Sequence, residues 1–180
     1  MGEGGLIATN NEELFEKIKL IRNQGRPNSG TFIHPAFGMN FRVTDMQSAV
    51  GCSQLEKLEH VIDYKKYLHG MYFERLKNNT NLRFMQPNKN STYIPFRFAF
   101  TSCFKNVIEK ALNEAKIQTR GFFYPMHLQP SVLESYPSVK NTKLKVSERL
   151  NKEGLCLPMH LDITEADIDL ICSTINESIN

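Results

Sequence analysis

The sequence lacks a dominant charge: 22 Lys and Arg face 19 Asp and Glu, a formal net charge of +3. Nucleic-acid domains carry a clustered basic stripe, and so even a balance points to no nucleic-acid partner. Long apolar runs are missing too. The best candidate, residues 93–104, is interrupted by Arg97 and falls short of the ~18 residues that span a bilayer. No membrane partner is expected. The opening MGEGGLIATNNEE has neither a basic nor an apolar leader region, which makes cytoplasmic the expected location. The four cysteines, Cys52, Cys103, Cys156 and Cys172, form no CxxC pair and read as reduced, mostly buried thiols. A metal site drawn from His34, His127, Cys156 and His160 finds no support in their spacing, and none is expected. Repeats and low-complexity segments are absent. Gly2-Glu3-Gly4-Gly5 is neither GxGxxG nor a Walker loop. It reads as a tight turn, with a phosphate cradle as the alternative.

What is present is ordinary globular material, 41% hydrophobic and 23% charged. A chain of 180 residues is one domain, or one domain with part of another. It begins with an expected strand over 6–9. A helix follows, capped by Asn10 or Asn11, with an apolar stripe of Leu14, Phe15, Ile18, Leu20 and Ile21 and a stop at Gly25. Residues 26–40 form a polar loop, long enough to suggest function. Thr44 and Gln47 make a capping box. The apolar spacing from Met46 to Leu76 then predicts a long connecting helix, or two helices end to end, with Gly51 and Gly70 as candidate breaks. Lys65 and Lys66 sit there among acids and read as a solvated face.

Residues 78–90 read as an exposed loop. Alternation predicts a strand over 93–100, with Pro95 near its edge or start. An amphipathic helix over 105–115 and a short strand over 117–120 follow. The aromatic, two-proline stretch 121–130 cannot be helical throughout. A helix over 143–152 ends at Gly154, and a strand covers 155–158. Thr164 caps a last helix whose inner face is Ile168, Ile171, Cys172 and Ile175. From about residue 80 the order is strand, helix, strand, helix, strand, helix, a small α/β or α+β layer domain.

Two constellations stand out. Asn40, Arg42 and Thr44 close the long loop at a capped helix start, where an amide and a guanidinium fork suit an anion. Capping plus a surface Arg is the plainer reading. Arg120, Tyr124 and His127 share the segment TRGFFYPMHLQP. Arg and His there suit an anionic or hydroxylated substrate, and the aromatics a ring; a packed aromatic loop is the alternative.

Four stretches, GEGGLIATNNEELFEKIKLIRNQG, GMNFRVTDMQSAVGCSQLEKL, QTRGFFYPMHLQP and SERLNKEGLCLPMHLDITEADID, occur in the order seen in the DegT/DnrJ/StrS family of sugar aminotransferases. The chain resembles the C-terminal half of that family over almost its full length. The resemblance implies an α/β fold: the C-terminal part of an aspartate-aminotransferase-like (PLP fold type I) fold. Residues 1–43 would end the large cofactor-binding domain, 44–79 would form the long connecting helix or helix pair, and 80–180 the small α/β domain. It implies pyridoxal 5'-phosphate as cofactor, with glutamate and a nucleotide-linked keto-sugar as substrates. The partner would be an N-terminal PLP-binding half or a second copy in a homodimer.

By the same resemblance, Asn40 reaches the cofactor phosphate of the neighbouring subunit, and Arg42, placed with it among the cofactor-binding residues, is close enough to assist or to meet the substrate. Arg120, Tyr124 and His127 line the sugar-nucleotide side. Gly121 replaces the Pro that often follows the Arg. The family's Schiff-base Lys stands a few residues before the GEGG-type turn, where this sequence has only Met1. No catalytic residue is therefore assigned, and the chain is expected to be inactive alone. A non-catalytic binding or interaction fragment, the half of a split enzyme or a pseudoenzyme, is the other expectation.

Overall fold

Glu12 and Glu13 occupy the first turn of helix α1, Glu12–Arg22, and Lys19 and Arg22 its last turn. Each sign matches the pole of the helix dipole that it meets. The computed structural model describes residues 2–28, 30 and 32–179. The chain divides into two compact units, Met1–Leu58 and Glu59–Asn180.

In the first unit, Asn11 caps α1 by accepting from the Leu14 amide at 2.9 Å. The helix ends through Gln24 (φ 62°) and Gly25 (φ 74°), and the Gly25 amide donates back to Leu20. The return segment then fastens to this end. Met39 donates to the Ile21 carbonyl at 2.9 Å, Phe41 to Arg22 at 3.1 Å, and Gln24 to Met39 at 2.9 Å. An antiparallel bridge pairs Asn23 with Asn40. These bonds occupy carbonyls that a helix terminus leaves open. Helix α2, Asp45–Leu55, opens on the expected capping box of Thr44 and Gln47.

One expectation fails in this unit. Residues 6–9 form no strand, since no described segment pairs with them and a strand exists only through its ladder. Leu6 and Ile7 are exposed. The apolar stripe of α1 and the apolar residues of α2 are present, yet neither helix buries a side chain; Met46 is 82% exposed.

The second unit has a true core. Helix α3 spans Leu58–Leu76 and buries Leu68, Met71, Tyr72 and Leu76. The break before it falls at Glu56 and Lys57, not at a glycine. Gly51 and Gly70 stand inside helices, where a glycine costs about 1 kcal/mol without ending the helix. Four strands form one antiparallel sheet: β1 (Arg83–Phe84), β2 (Phe98–Thr101), β3 (Arg120–Gly121) and β4 (Gly154–Leu157), in the order β1-β2-β4-β3. Phe98 pairs with Leu157 and Phe100 with Leu155, so all four share one buried face. Helices α4 (Lys105–Glu114) and α7 (Glu165–Ser178) complete the core with Ile108, Leu112, Ile168, Ile171, Cys172 and Ile175. Tyr72 stacks on Phe98 at 4.9 Å between centroids and donates to the Pro158 carbonyl at 3.0 Å. Helices α5 (Pro130–Ser135) and α6 (Lys145–Glu153) connect β3 to β4.

The differences from expectation have local causes. Strand β2 begins only at Phe98, because it is an interior strand and Pro95 cannot donate to a ladder. Strand β1 lies inside the expected loop 78–90; two residues are too few to show alternation. Strand β3 sits at 120–121, where Arg120 opposes Cys156, rather than at 117–120. Of the cysteines only Cys172 is buried; Cys156 is half-buried, and Cys52 and Cys103 are exposed.

Candidate functional site

Along α3 the buried stripe reaches back from Tyr72 through Leu68, and Lys65 stands one turn earlier on that face. Its ammonium donates to the carbonyl of Met159, just beyond β4. Burial lowers its pKa, and the positive charge of Arg97 lowers it further. The helix thus leaves its core by way of a cation that faces a cleft of about 600 Å³ in the second unit.

Other elements add to this cleft. Arg120 and Cys156 are register partners on β3 and β4, and partners emerge on the same face. That face is opposite to the one on which Leu155 and Leu157 are buried. Arg97 precedes β2 and lies over the ring of Phe96, 5.2 Å from its centroid. Lys116 and His160 line the same space. Asp167 is the carboxylate there, and it is already engaged. It accepts from the Thr164 amide at 2.9 Å and the Thr164 hydroxyl at 2.7 Å, and these bonds hold it below the ordinary aspartate range. Burial pushes the Cys156 thiol up.

The cleft unites only part of the Arg120–Tyr124–His127 constellation. Arg120 lines it; Tyr124 and His127 do not. His127 is buried in a 3-10 turn, Met126–Leu128. Its Nε2 lies 3.0 Å from Glu148 Oε1 on α6, and an ionised carboxylate only accepts, so Nε2 carries the proton. The same carboxylate accepts from the Leu144 amide at 2.9 Å. The His127 bond, then the Leu144 bond, hold Glu148 below the ordinary glutamate range. His127 Nδ1 is buried with no hydrogen-bond partner among the described residues. Asn151 on α6 fixes the preceding loop by donating to the carbonyls of Phe122 (2.9 Å) and Phe123 (3.2 Å). Tyr124 and Phe123 are left exposed.

In the first unit, Arg42 Nε donates to Asn40 Oδ1 at 3.1 Å. This leaves the terminal guanidinium nitrogens and the Asn40 amide N–H groups with no partner among the described residues, a donor set that fits a phosphate. The bonds of residues 39–41 to the end of α1 set the position of this pair.

Sequence reasoning missed Lys65, Arg97 and His160 as neighbours of Arg120. For Lys65 a signal existed: its place three residues before Leu68 on the apolar stripe. Nothing local marks Arg97, whose surroundings are set by the sheet.

Comparison with known proteins agrees with the motifs. The model of the DegT/DnrJ/EryC1/StrS aminotransferase family matches residues 1–176. GDP-perosamine synthase of Caulobacter vibrioides is 31% identical over 183 residues, which span 98% of this chain and 48% of that protein. UDP-4-amino-4,6-dideoxy-N-acetyl-beta-L-altrosamine transaminase of Helicobacter pylori is 28% identical over 183 residues, or 96% of this chain and 47% of that one. The crystal structure of S. venezuelae DesV superposes with a TM-score of 0.84 at 19% identity, covering 96% of this chain and 46% of its own. The chain spans about half the length of the curated relatives it matches. Its fold is a partial aspartate-aminotransferase-like fold.

Proposed function

Because the chain belongs to the DegT/DnrJ/EryC1/StrS aminotransferase family, we propose that it is the C-terminal portion of a pyridoxal-phosphate-dependent aminotransferase. The enzyme would move an amino group from glutamate to a nucleotide-linked keto-sugar, in amino-sugar biosynthesis in the cytoplasm. Relatives named for GDP- and UDP-linked sugars support this reading. The observation that carries it is the first unit, which has an apolar stripe on α1, exposed apolar residues on α2 and, among its described residues, no buried apolar side chain. Such a unit needs a further surface to cover it. An N-terminal cofactor-binding half, or a second copy in a homodimer, would supply one. In this reading residues 1–43 end the large domain, 44–79 connect, and 80–180 form the small domain.

Each site residue then has a task. Asn40 and Arg42 would hold the phosphate of a neighbouring subunit's cofactor with the donors described above. Pyridoxal phosphate, when bound, supplies the electron sink for amino transfer. Arg120 would meet negative charge on the sugar-nucleotide, and Tyr124 would pack against a ring. Glu148 fixes the orientation of His127 and the tautomer that carries a proton on Nε2. No Lys of this chain matches the family's Schiff-base position, so the chain is inactive until another segment brings one.

The test mixes the purified 180-residue chain with an N-terminal half of a family member that carries the Lys. Glutamate, pyridoxal phosphate and GDP- or UDP-linked keto-sugars are supplied, and 2-oxoglutarate release is followed. Turnover is expected only with both parts. Turnover by this chain alone, above free cofactor, would overturn the assignment. A stable complex without turnover in any combination would instead favour the second reading, a non-catalytic interaction half, for which the exposed apolar stripe of α1 is the specific support.

A further inference from the structure

Beside its buried stripe, helix α3 carries His69 and Phe73 one turn apart, with Gly70 and Glu74 next to them. All four border a second pocket of the second unit, of about 210 Å³. Strands β1 and β2 supply its far wall. Phe84 opposes Phe100, and alternate residues of a strand emerge on one face, so Phe84 and Phe98 lie side by side, 5.8 Å between centroids. Tyr93, from the segment before β2, closes the space and meets His69 edge-on at 5.4 Å. Phe73 meets Phe84 edge-on at 5.5 Å. This pocket shares no lining residue with the cleft of Arg120.

Size and charge together select the guest. A cavity of about 150 Å³ holds a molecule like benzene, and drug-sized ligands occupy roughly 300–1,000 Å³, so this pocket suits a small head group. Aromatic faces are negative and attract cations. Glu74 adds a carboxylate, and no Lys or Arg lines the space. Burial lowers the pKa of His69, so its ring is neutral at about pH 7.5 and repels no cation. Glu74 pairs with Lys77, but both side chains are exposed. Such a pair is worth little, and a guest can share the carboxylate. We propose that this pocket binds a small alkylated ammonium compound, its carbons against Phe73, Phe84 and Tyr93 and its charge answered by Glu74. A neutral ring would use the aromatic wall and leave Glu74 unused. A bare metal ion would need several oxygen or nitrogen donors, and no such group is present among the described residues.

The experiment titrates choline, and its uncharged isostere 3,3-dimethyl-1-butanol, into the 180-residue chain. Amide shifts read both affinity and place. Choline is expected to give saturable shifts at Gly70, Glu74 and Phe84, and the isostere to bind roughly tenfold more weakly for want of the charge. A Cβ on Gly70 meets nothing within 4 Å, and a helix interior favours other residues over glycine. Gly70→Leu should therefore fill the pocket, keep the fold and abolish binding. Tyr93→Leu, which removes a ring face, and Glu74→Gln should each weaken binding roughly fivefold. Glu114→Gln, at an exposed ion-paired carboxylate outside the pocket, should leave it unchanged. The amide spectrum of β2 and β4 checks that each variant is folded.

Absence of saturable shifts with choline would overturn the proposal. So would equal binding of the isostere, which would mark a merely apolar pocket, or equal weakening by Glu114→Gln. Binding that survives in folded Gly70→Leu would place the cation elsewhere and overturn it as well. Tighter binding by a lysine-rich peptide than by choline would overturn the small-molecule assignment in favour of a basic tail. These readouts need neither cofactor nor turnover. Failure here leaves the aminotransferase reading standing, and failure of turnover leaves this site standing.

Discussion

Gly25 and Gly38 lie back to back. A Cβ on Gly38 would sit 2.2 Å from the Gly25 nitrogen, and one on Gly25 would sit 1.8 Å from the Ala36 carbonyl oxygen. Gly25 also holds φ at 74°, where an L side chain is strained by about 1–2 kcal/mol. The two glycines let the return segment reach the end of α1, and that contact fixes where Asn40 and Arg42 stand.

Gly38→Ala is therefore expected to separate the return segment from the helix end. Backbone, not a flexible side chain, is what the new methyl meets. Hydrogen exchange checks it: the Met39 and Phe41 amides, bonded to Ile21 and Arg22, should lose protection while those of β2 and β4 keep theirs.

The pairing of His127 and Glu148 predicts an acid-sensitive second unit. Glu148 titrates below its ordinary value of 4.5 when folded. A depressed carboxylate stabilises the fold above the unfolded pKa and loses that contribution as pH falls through the folded one. Denaturant melts of wild type and Glu148→Gln should differ at about pH 7, and the gap should narrow below about pH 4. A constant gap would contradict the pairing.

Core truncation should separate the units. Leu112→Ala removes a fully buried side chain on α4 and should cost about 2–5 kcal/mol. Leu14→Ala, on the open stripe of α1 and 45% exposed, should change the isolated chain by less than about 0.5 kcal/mol. Urea unfolding followed by circular dichroism reads both.

The thiols give a labelling order. Cys52 and Cys103 are exposed and should react with a thiol reagent first. Cys156, half-buried with its thiol pKa raised, should follow slowly. Cys172, pushed up to about 12 by burial, should react only on unfolding.

Much of the second unit was legible because its signals are local. The inner face Ile168, Ile171, Cys172 and Ile175 follows from spacing alone, and the Thr164 cap from its own residues. Gly154 stops α6 as expected and at once begins β4. The first unit misled where the sequence specifies a stripe and assumes its cover. Met46 and Val50 have the spacing of core residues and lie exposed. The site was half legible. Asn40 and Arg42 are neighbours in sequence and bonded in space. Lys65 and Arg120 are 55 positions apart by number, and only the packing of α3 beside the sheet brings them to one cleft. His127 reads as ligand-facing, and the bond of its Nε2 to Glu148 is not legible in the spacing.

The uneven placement of the core has a consequence for how the chain is made and destroyed. Among the described residues every buried apolar side chain lies between Leu68 and Ile175, so the second unit can collapse around its own residues. The stretch before Glu59 gains little by ordering itself and is the natural entry for a protease. Brief digestion of the isolated chain should nibble inward from the amino end and stall near α3, leaving a resistant carboxyl-terminal piece. Association would reverse this by shielding the cleavable stretch, which makes a gel band a gauge of assembly before any activity is known.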